Sequence, residues 1–347
     1  MAENPEHPEA PENSLPATDE ELLEHLASSE AGADHPQPSG NGSHAPSTGE
    51  FRTSVTSRHL ETGKGFNVSS LSEIFDNVLD EIKNRGEKPE LPTGLNILDN
   101  KIWGLHRGEL LVIGARPSEG KSSLGMQMAY NVAESGKRVV FISLEMTKEQ
   151  LMERLFCSTQ DVDSWELRCG KIPQDFEAKC RVFQKLIATL PLRIFDLYGY
   201  EYSQVEQIIN AIPNQIDALF LDYIQLIAPI PGMEPSASMV EYLRHMKRLS
   251  MQRQIAMVIL SQLNRETVKG KMSKPELHHL KQTGALEEVA DGVILCWWKT
   301  MEEDPNDVTS DYVLRIAKQR HGPVGDVTIK FLPNRFLFSD PPTGAAF

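Results

Sequence analysis

Cysteine is sparse in this chain, with four residues in 347: Cys157, Cys169, Cys180 and Cys296. They show neither C-x-x-C metal spacing nor a paired disulfide framework, so reduced thiols in a reducing cytosol are the expected state. No run approaches the roughly 18 apolar residues of a membrane span. The first residues also lack the basic segment and apolar core of a secretory leader. A cytoplasmic protein with no membrane partner is therefore expected. Lysine and arginine are absent from positions 1–50, which carry eleven Asp and Glu. The formal charge of -14 belongs mostly to that stretch, because the remainder holds 38 acids against 35 bases. The body is nearly neutral, and the total charge does not exclude a nucleic-acid partner. Residues 1–65 are rich in Pro, Glu, Ser, Gly and His and poor in aromatics. They cannot bury enough apolar surface to offset chain entropy and are expected to form a disordered acidic tail.

Two helices are written into the front of the chain. Thr18-Asp-Glu-Glu21 is a capping-box pattern ahead of Leu22, Leu23 and Leu26; it reads as a fleeting helix in the tail or as a docking motif for a partner. Ser70-Leu-Ser-Glu73 opens a firmer one. Leu71, Ile74, Phe75, Val78, Leu79 and Ile82 recur at helical spacing before Gly86 stops the pattern,. A Pro-rich connector, residues 87–94, leads from it to the body. The divisions expected are a tail to residue 65, a linker helix and connector over 66–90, and a folded domain over 91–340.

The body is organised around Gly114-Ala-Arg-Pro-Ser-Glu-Gly-Lys-Ser-Ser123. It fits [AG]-x-x-x-x-G-K-[ST], with Ala115, Gly120, Lys121 and Ser122 at the fixed positions, Gly114 immediately ahead of them and Arg116, Pro117, Ser118 and Glu119 between. Such a loop turns its backbone N–H groups onto phosphate oxygens; Lys121 neutralises charge and the Ser122 hydroxyl ligates Mg²⁺, with Ser123 beside it. An apolar run, 109–113, precedes the loop and a helical stretch, 124–135, follows it, as a phosphate cradle requires. Further short apolar runs at 138–144, 192–195, 218–222, 255–260 and 292–296 alternate with helical stretches. Continuous apolar strands between helices predict an α/β fold, a mostly parallel sheet covered on both faces. The last runs, 312–317, 327–332 and 335–338, follow one another without helices and predict an antiparallel extension.

In such sheets ligands bind beyond the carboxyl ends of the strands. Three polar residues end apolar runs there: Asp222, placed to join the Mg²⁺ shell; Glu145, able to take a proton from an attacking water; and Gln262, able to hydrogen-bond a γ-phosphate without adding charge. Lys318 and Arg320, near a hairpin tip, read either as a charged sheet edge or as an arginine finger with a lysine companion. Residues 244–281 hold nine Lys or Arg against two acids. Within them, Arg265, Lys269, Lys271, Lys274 and Lys281 suit a phosphate backbone with little base preference.

Six blocks in order resemble the C-terminal motor domain of the bacterial replicative helicase DnaB, among the RecA-like hexameric helicases. They are Leu91-Pro-Thr-Gly-Leu-Asn-Ile-Leu-Asp99, Ala115–Ser123, Ser143-Leu-Glu-Met146, Leu221-Asp-Tyr-Ile-Gln-Leu226, Leu260-Ser-Gln-Leu-Asn-Arg265 and Ala317-Lys-Gln-Arg-His-Gly-Pro-Val-Gly325. The resemblance implies a RecA-like P-loop core, ATP bound with Mg²⁺ between subunits of a homo-hexamer, and single-stranded DNA in the channel with 5′→3′ translocation. It makes Glu145 the catalytic glutamate, Asp222 the Mg²⁺ aspartate, Gln262 the γ-phosphate sensor, and Lys318 and Arg320 the trans-acting pair. It also implies that the helix from Ser70 packs on the adjacent subunit, and the tail remains a candidate dock for a loader. Where the family usually reads Asp-Leu-Arg-Glu-Ser-Gly, this chain has His279-Leu-Lys-Gln-Thr-Gly284. The family's helical N-terminal domain, which forms a collar and recruits primase, finds no counterpart in the acidic tail. The alternative reading is a nucleotide-switched DNA-binding or recombination ATPase of the RadA and KaiC kind that does not unwind. A small-molecule phosphotransferase is disfavoured, since Gln262 and the basic stretch have no use there.

Overall fold

A computed structural model describes residues 70–84, 86–197, 202–211, 216–263, 274–280, 288–299 and 311–342. The tail and its Thr18–Leu26 island lie outside the described residues. The chain divides after Arg85. Ahead of that division stands helix α1, Leu71–Asn84, with Leu71, Phe75 and Ile82 well exposed. It opens on the expected capping box: Ser70 N–H donates to the Glu73 carboxylate at 3.0 Å, and Glu73 N–H donates to Ser70 Oγ at 3.2 Å.

The body holds, in chain order, α2 (Asn96–Ile102), β1 (Leu110–Ala115), α3 (Lys121–Glu134), β2 (Val139–Ser143), α4 (Lys148–Gln160), α5 (Ser164–Arg168), α6 (Phe176–Ala188) and β3 (Leu192–Asp196). There follow α7 (Tyr202–Ala211), β4 (Ala218–Asp222), α8 (Pro235–Arg253), β5 (Ala256–Gln262), β6 (Gly292–Trp298), β7 (Asp311–Gln319), β8 (Gly325–Leu332) and β9 (Leu337–Ser339). The described strands form one nine-stranded sheet in the order β3-β2-β4-β5-β1-β6-β7-β8-β9. From β3 to β6 every pairing is parallel, and from β6 to β9 every pairing is antiparallel.

Alternation along each parallel strand sends side chains to two separate cores. Ile113, Phe141, Phe220, Val258 and Ile294 join the face covered by α3, α4 and α6, where Leu124, Met128, Leu151 and Phe183 are buried. Val112, Val140, Leu219, Met257 and Val293 join the face covered by α7 and α8, with Val205, Ile209, Leu243 and Met246. Burial on both faces explains why these strands read as unbroken apolar runs. The extension differs: in β8 only Val327, Ile329 and Phe331 are buried, as one-sided strands require.

Some boundaries differ from the sequence reading. The helix expected near 239–253 begins at Pro235, because proline at a helix's first position gives up an N–H that would go unpaired there,. The helical region to about 190 is three helices, with Asp163 capping α5 through the N–H groups of Trp165 and Glu166. The strand expected at 335–338 is displaced: residues Pro333–Arg335 form a 3₁₀ turn, Phe336 takes φ +53°, and β9 follows.

Candidate active site

Strand β1 ends at Ala115, and residues 116–120 turn the chain into the N-terminus of α3. Ser118 and Gly120 adopt left-handed backbone, φ +65° and +82°. A side chain at Gly120 would also place its Cβ 3.0 Å from the ring of Phe331 and 3.1 Å from that of Phe338. Those rings stack at 4.2 Å, Tyr312 meets both edge-on, and the buried Tyr312 hydroxyl donates to Glu119 C=O at 2.7 Å. The antiparallel extension thus forms the floor of the loop. Arg116 N–H donates to the Glu119 carboxylate at 3.3 Å, and the two side chains pair at 3.6 Å. Pro117 and Ser118 are exposed, whereas Glu119, Lys121, Ser122 and Ser123 are buried. The first N–H groups of α3 have no partner within the helix, which makes this end receptive to an anion.

Lys121 Nζ pairs with Asp222 Oδ1 at the end of β4 and lies 4.6 Å over the ring of Tyr223. Asp222 is fully buried, and its Oδ2 has no hydrogen-bond partner. An unsatisfied buried carboxylate oxygen carries a desolvation cost that a cation removes. Among the described residues no group of three or more His, Cys, Asp or Glu gathers. One hydroxyl and one carboxylate, completed by a ligand's own phosphates and water, fits Mg²⁺ rather than an ion needing an all-protein cage.

Register brings the remaining groups to the same end of the sheet. Ser143 lies opposite Asp222 in the β2–β4 pairing, and Leu144 N–H donates to Asp222 C=O at 2.6 Å. Glu145 emerges exposed from a turn closed by Ser143 Oγ, which accepts from Met146 N–H at 3.0 Å and donates to Met146 C=O at 2.7 Å. On the other side Gln262 ends β5 opposite Ala115. Its N–H donates to Gln225 Oε1 at 3.3 Å, while Gln225 Nε2 donates to Ser261 Oγ at 2.6 Å.

Lys318 and Arg320 are not part of this gathering. Gln319 pairs with Gly292 and Gly292 with Leu111, so Arg320 stands at the start of β1 while the loop follows its end. From Leu110, the level of Arg320, to Ala115 is five residue steps, which at roughly 3.3 Å each separate the two levels by about 17 Å along the strand,. Lys318 Nζ donates to Ala290 C=O at 2.7 Å, and Arg320 NH1 pairs with Asp291 at 2.9 Å. Of the basic residues assigned to DNA, Arg265, Lys269, Lys271 and Lys281 lie outside the described residues. Lys274 is described, and it pairs with Asp326 of β8. His279 is buried, and its Nδ1 accepts from Glu276 N–H at 2.8 Å. Burial, with His278 and Arg116 nearby, lowers its pKa and favours the neutral ring,.

A family model described as the DnaB-like helicase C-terminal domain matches residues 90–340. The chain belongs to that family. It is 27% identical over 274 residues to the replicative DNA helicase DnaC of Bacillus subtilis, covering 77% of this chain and 60% of that protein. It is 32% identical over 246 residues to a probable plasmid replicative DNA helicase of Chlamydia psittaci, covering 70% of this chain and 53% of that protein. The chain thus spans about 60% of the length of the first of these relatives. Among solved structures, the ATPase domain of G40P superposes with a TM-score of 0.72 at 24% identity, over 79% of this chain and all of that one. The RecA-like α/β fold of this DnaB-like domain, with its antiparallel extension, is thereby shown.

Sequence reasoning missed Arg154. It lies on α4, donates to Ser123 Oγ at 3.3 Å and stacks 4.8 Å from the ring of Phe336. Burial pulls its pKa below the ordinary guanidinium value, against the attraction of Asp222 and Glu145,. On an amphipathic helix with several charges, nothing in the sequence marks this arginine out. Gln225 was within a quoted block, but no signal there gave it the task of holding β5.

Proposed function

We propose that this chain is the ATP-driven motor of a DNA helicase, acting as a ring-shaped homo-hexamer that translocates 5′→3′ on single-stranded DNA. The observation that carries the reading is the Lys121–Asp222 pair beside the α3 N-terminus, with Asp222 Oδ2 left without a partner. A lysine and a magnesium-type carboxylate meet there, at the end of the sheet where phosphates are received. Lys121 neutralises β- and γ-phosphate charge, and the residues from Gly114 to Ser123 wrap the phosphates. Ser122 and Asp222 hold Mg²⁺, which when bound neutralises charge on the phosphate oxygens. Glu145 accepts the proton of the attacking water, and its exposure leaves it accessible to that water,. Gln262 reads the γ-phosphate, and β5 carries that state toward the basic stretch beyond it.

Lys318 and Arg320 are assigned to a neighbouring subunit's nucleotide, a reading supported by their distance from their own phosphate loop. The exposed apolar face of α1 supports a second role between subunits: Leu71, Ile74, Phe75, Val78 and Ile82 are side chains that assembly would cover,. The division into a tail to residue 65, a linker over 66–90 and a motor over 91–340 belongs to the same proposal, as does the tail as a dock for a loader. Arg265, Lys269, Lys271, Lys274 and Lys281 are assigned to the DNA backbone.

The test uses the purified full chain with a forked substrate carrying a 5′ single-stranded arm. DNA-stimulated ATP hydrolysis with strand separation, both abolished by Lys121→Ala, supports the motor. Nucleotide-dependent DNA binding without strand separation would replace it with a switch.

A further inference from the structure

Ahead of β6, the short segment from Glu288 to Asp291 holds Arg320 at three points. Arg320 N–H donates to Asp291 C=O at 3.0 Å, NH1 pairs with Asp291 Oδ1 at 2.9 Å, and NH2 donates to Glu288 C=O at 3.4 Å. The Asp291 carboxylate is itself fixed. It is buried, and its Oδ2 accepts from Leu110 N–H on β1 at 2.8 Å and from Lys247 Nζ on α8 at 2.6 Å. Lys247 is held in turn by Gly108 C=O at 2.8 Å. The Arg320 side chain nevertheless stays 46% exposed. A guanidinium has five donors in a rigid fork, so an arginine gripped at these points keeps donors for an anion on its solvent side.

We propose that Asp291 is a positioning residue for the finger, orienting the Arg320 guanidinium so that its free edge meets a neighbour's phosphates without further ordering. The proposal rests on the trans reading of Arg320. An unanchored arginine has many rotamers to lose on reaching its target, and a carboxylate held in place by the Leu110 N–H, which persists when Lys247 is removed, takes away that cost beforehand,. A solvated sheet-edge arginine would not require a buried carboxylate. Asp291 does not touch the phosphates and acts through Arg320 alone.

The experiment is a double-mutant cycle on ATP hydrolysis by the assembled full chain without DNA, with melting temperature measured alongside. Asp291→Asn should lower kcat about tenfold and leave KM for ATP within about twofold, because misplacing a catalytic group costs rate rather than substrate binding. Added to Arg320→Ala, it should lower kcat no further. Lys247→Met removes another partner of the same carboxylate; it should lower the melting temperature and leave kcat nearly unchanged. Three results would overturn the proposal: normal kcat in Asp291→Asn while Arg320→Ala is slow, an equal fall in both backgrounds, or the same kcat loss in Lys247→Met. Normal hydrolysis in Arg320→Ala is a different failure, since it removes the trans reading and the anchor's purpose with it. Should Asp291→Asn not fold, Asp291→Glu takes its place. It keeps the charge and displaces the oxygens by one methylene, so the same fall is expected, and a normal rate would overturn the proposal.

Discussion

Tyr312→Phe isolates the bond between the antiparallel extension and the phosphate loop. The Tyr312 hydroxyl reaches Glu119 C=O at 2.7 Å, and the tyrosine is fully buried. Burial first, with Cys296 and Glu119 adding to it, raises its pKa far above the phenol value, so it remains a neutral donor at every working pH,. Phenylalanine keeps the ring and its edge-on contacts with Phe331 and Phe338, at 5.6 and 5.0 Å, and deletes the hydroxyl, which donates to Glu119 C=O and also meets the Cys296 thiol. Deleting one partner of a buried bond costs about 1–3 kcal/mol, because the remaining carbonyl loses its donor without gaining water. At about 2–4 °C per kcal/mol for a domain of this size, the melting temperature should fall by several degrees. Because Glu119 immediately precedes Gly120, part of that loss loosens the loop, and binding must then restore it. A penalty near 1 kcal/mol corresponds to roughly fivefold weaker ATP binding, with kcat nearly unchanged. Thermal melting with and without ATP, together with a titration of nucleotide affinity, measures both effects. An unchanged melting temperature would refute the bond's contribution. A lower melting temperature with unchanged affinity would show that the extension stabilises the fold without shaping the loop.

Other predictions address the chemistry, the pH dependence and the DNA path. Glu145→Gln should bind ATP normally and hydrolyse it on the order of a hundredfold more slowly, as loss of a general base predicts; near-normal turnover would remove Glu145 from that role. Burial alone would raise the pKa of Asp217, but hydrogen bonds from Arg138 and Arg107 outweigh it and hold the carboxyl at about 2. Its contribution, roughly 2 kcal/mol, is present above pH 4 and is lost as pH falls toward 2; Asp217→Asn should therefore flatten acid unfolding in that window. Neutralising Lys269, Lys271 and Lys274 together should flatten the salt dependence of single-stranded DNA binding with little change in sequence preference. A wild-type salt slope in that triple variant would route DNA elsewhere.

What could be read in advance was what a local pattern determines. The phosphate loop is legible because four residue types must fall at fixed offsets, and the central parallel strands because burial on both faces leaves few polar positions. The capping box of α1 is likewise complete within Ser70 and Glu73. Features made by distant residues were not legible. Helix α2 is capped by Asp340, whose carboxylate accepts from the N–H groups of Asn96 at 2.9 Å and Ile97 at 3.0 Å, across more than 240 positions. Gly120 is hemmed in by Phe331 of β8 and Phe338 of β9, which in sequence are only apolar residues of two one-sided strands. Asp291 reads as a turn residue between Ala290 and Gly292, and only the folded chain brings Lys247, Leu110 and Arg320 to it. Motif residues that receive a ligand are spaced by the ligand's demands, whereas those that hold them in place are spaced by the fold.

Strand β7 joins the two ends of this arrangement. At its start Tyr312 supports the chain's own phosphate loop; just past its end Arg320 rests on Asp291. Between them the strand is paired to β6 along its length and to β8 from Asp311 to Ile316, so over that stretch it cannot stretch or bend without breaking ladder bonds on both sides,. A loop at its end can swing freely, but a strand tied on both sides moves as a unit with the sheet. On the proposed trans reading, a shift of the phosphate loop against Tyr312 would be carried as displacement of the finger rather than absorbed. The irregularity in the β6–β7 register between Val293 and Ile294, close to the finger's end, is the one place in that pairing where such displacement would meet a weaker ladder,. On that same trans reading, coupling between successive sites would need no separate relay, because the strand that supports one phosphate loop would also present the arginine to the next.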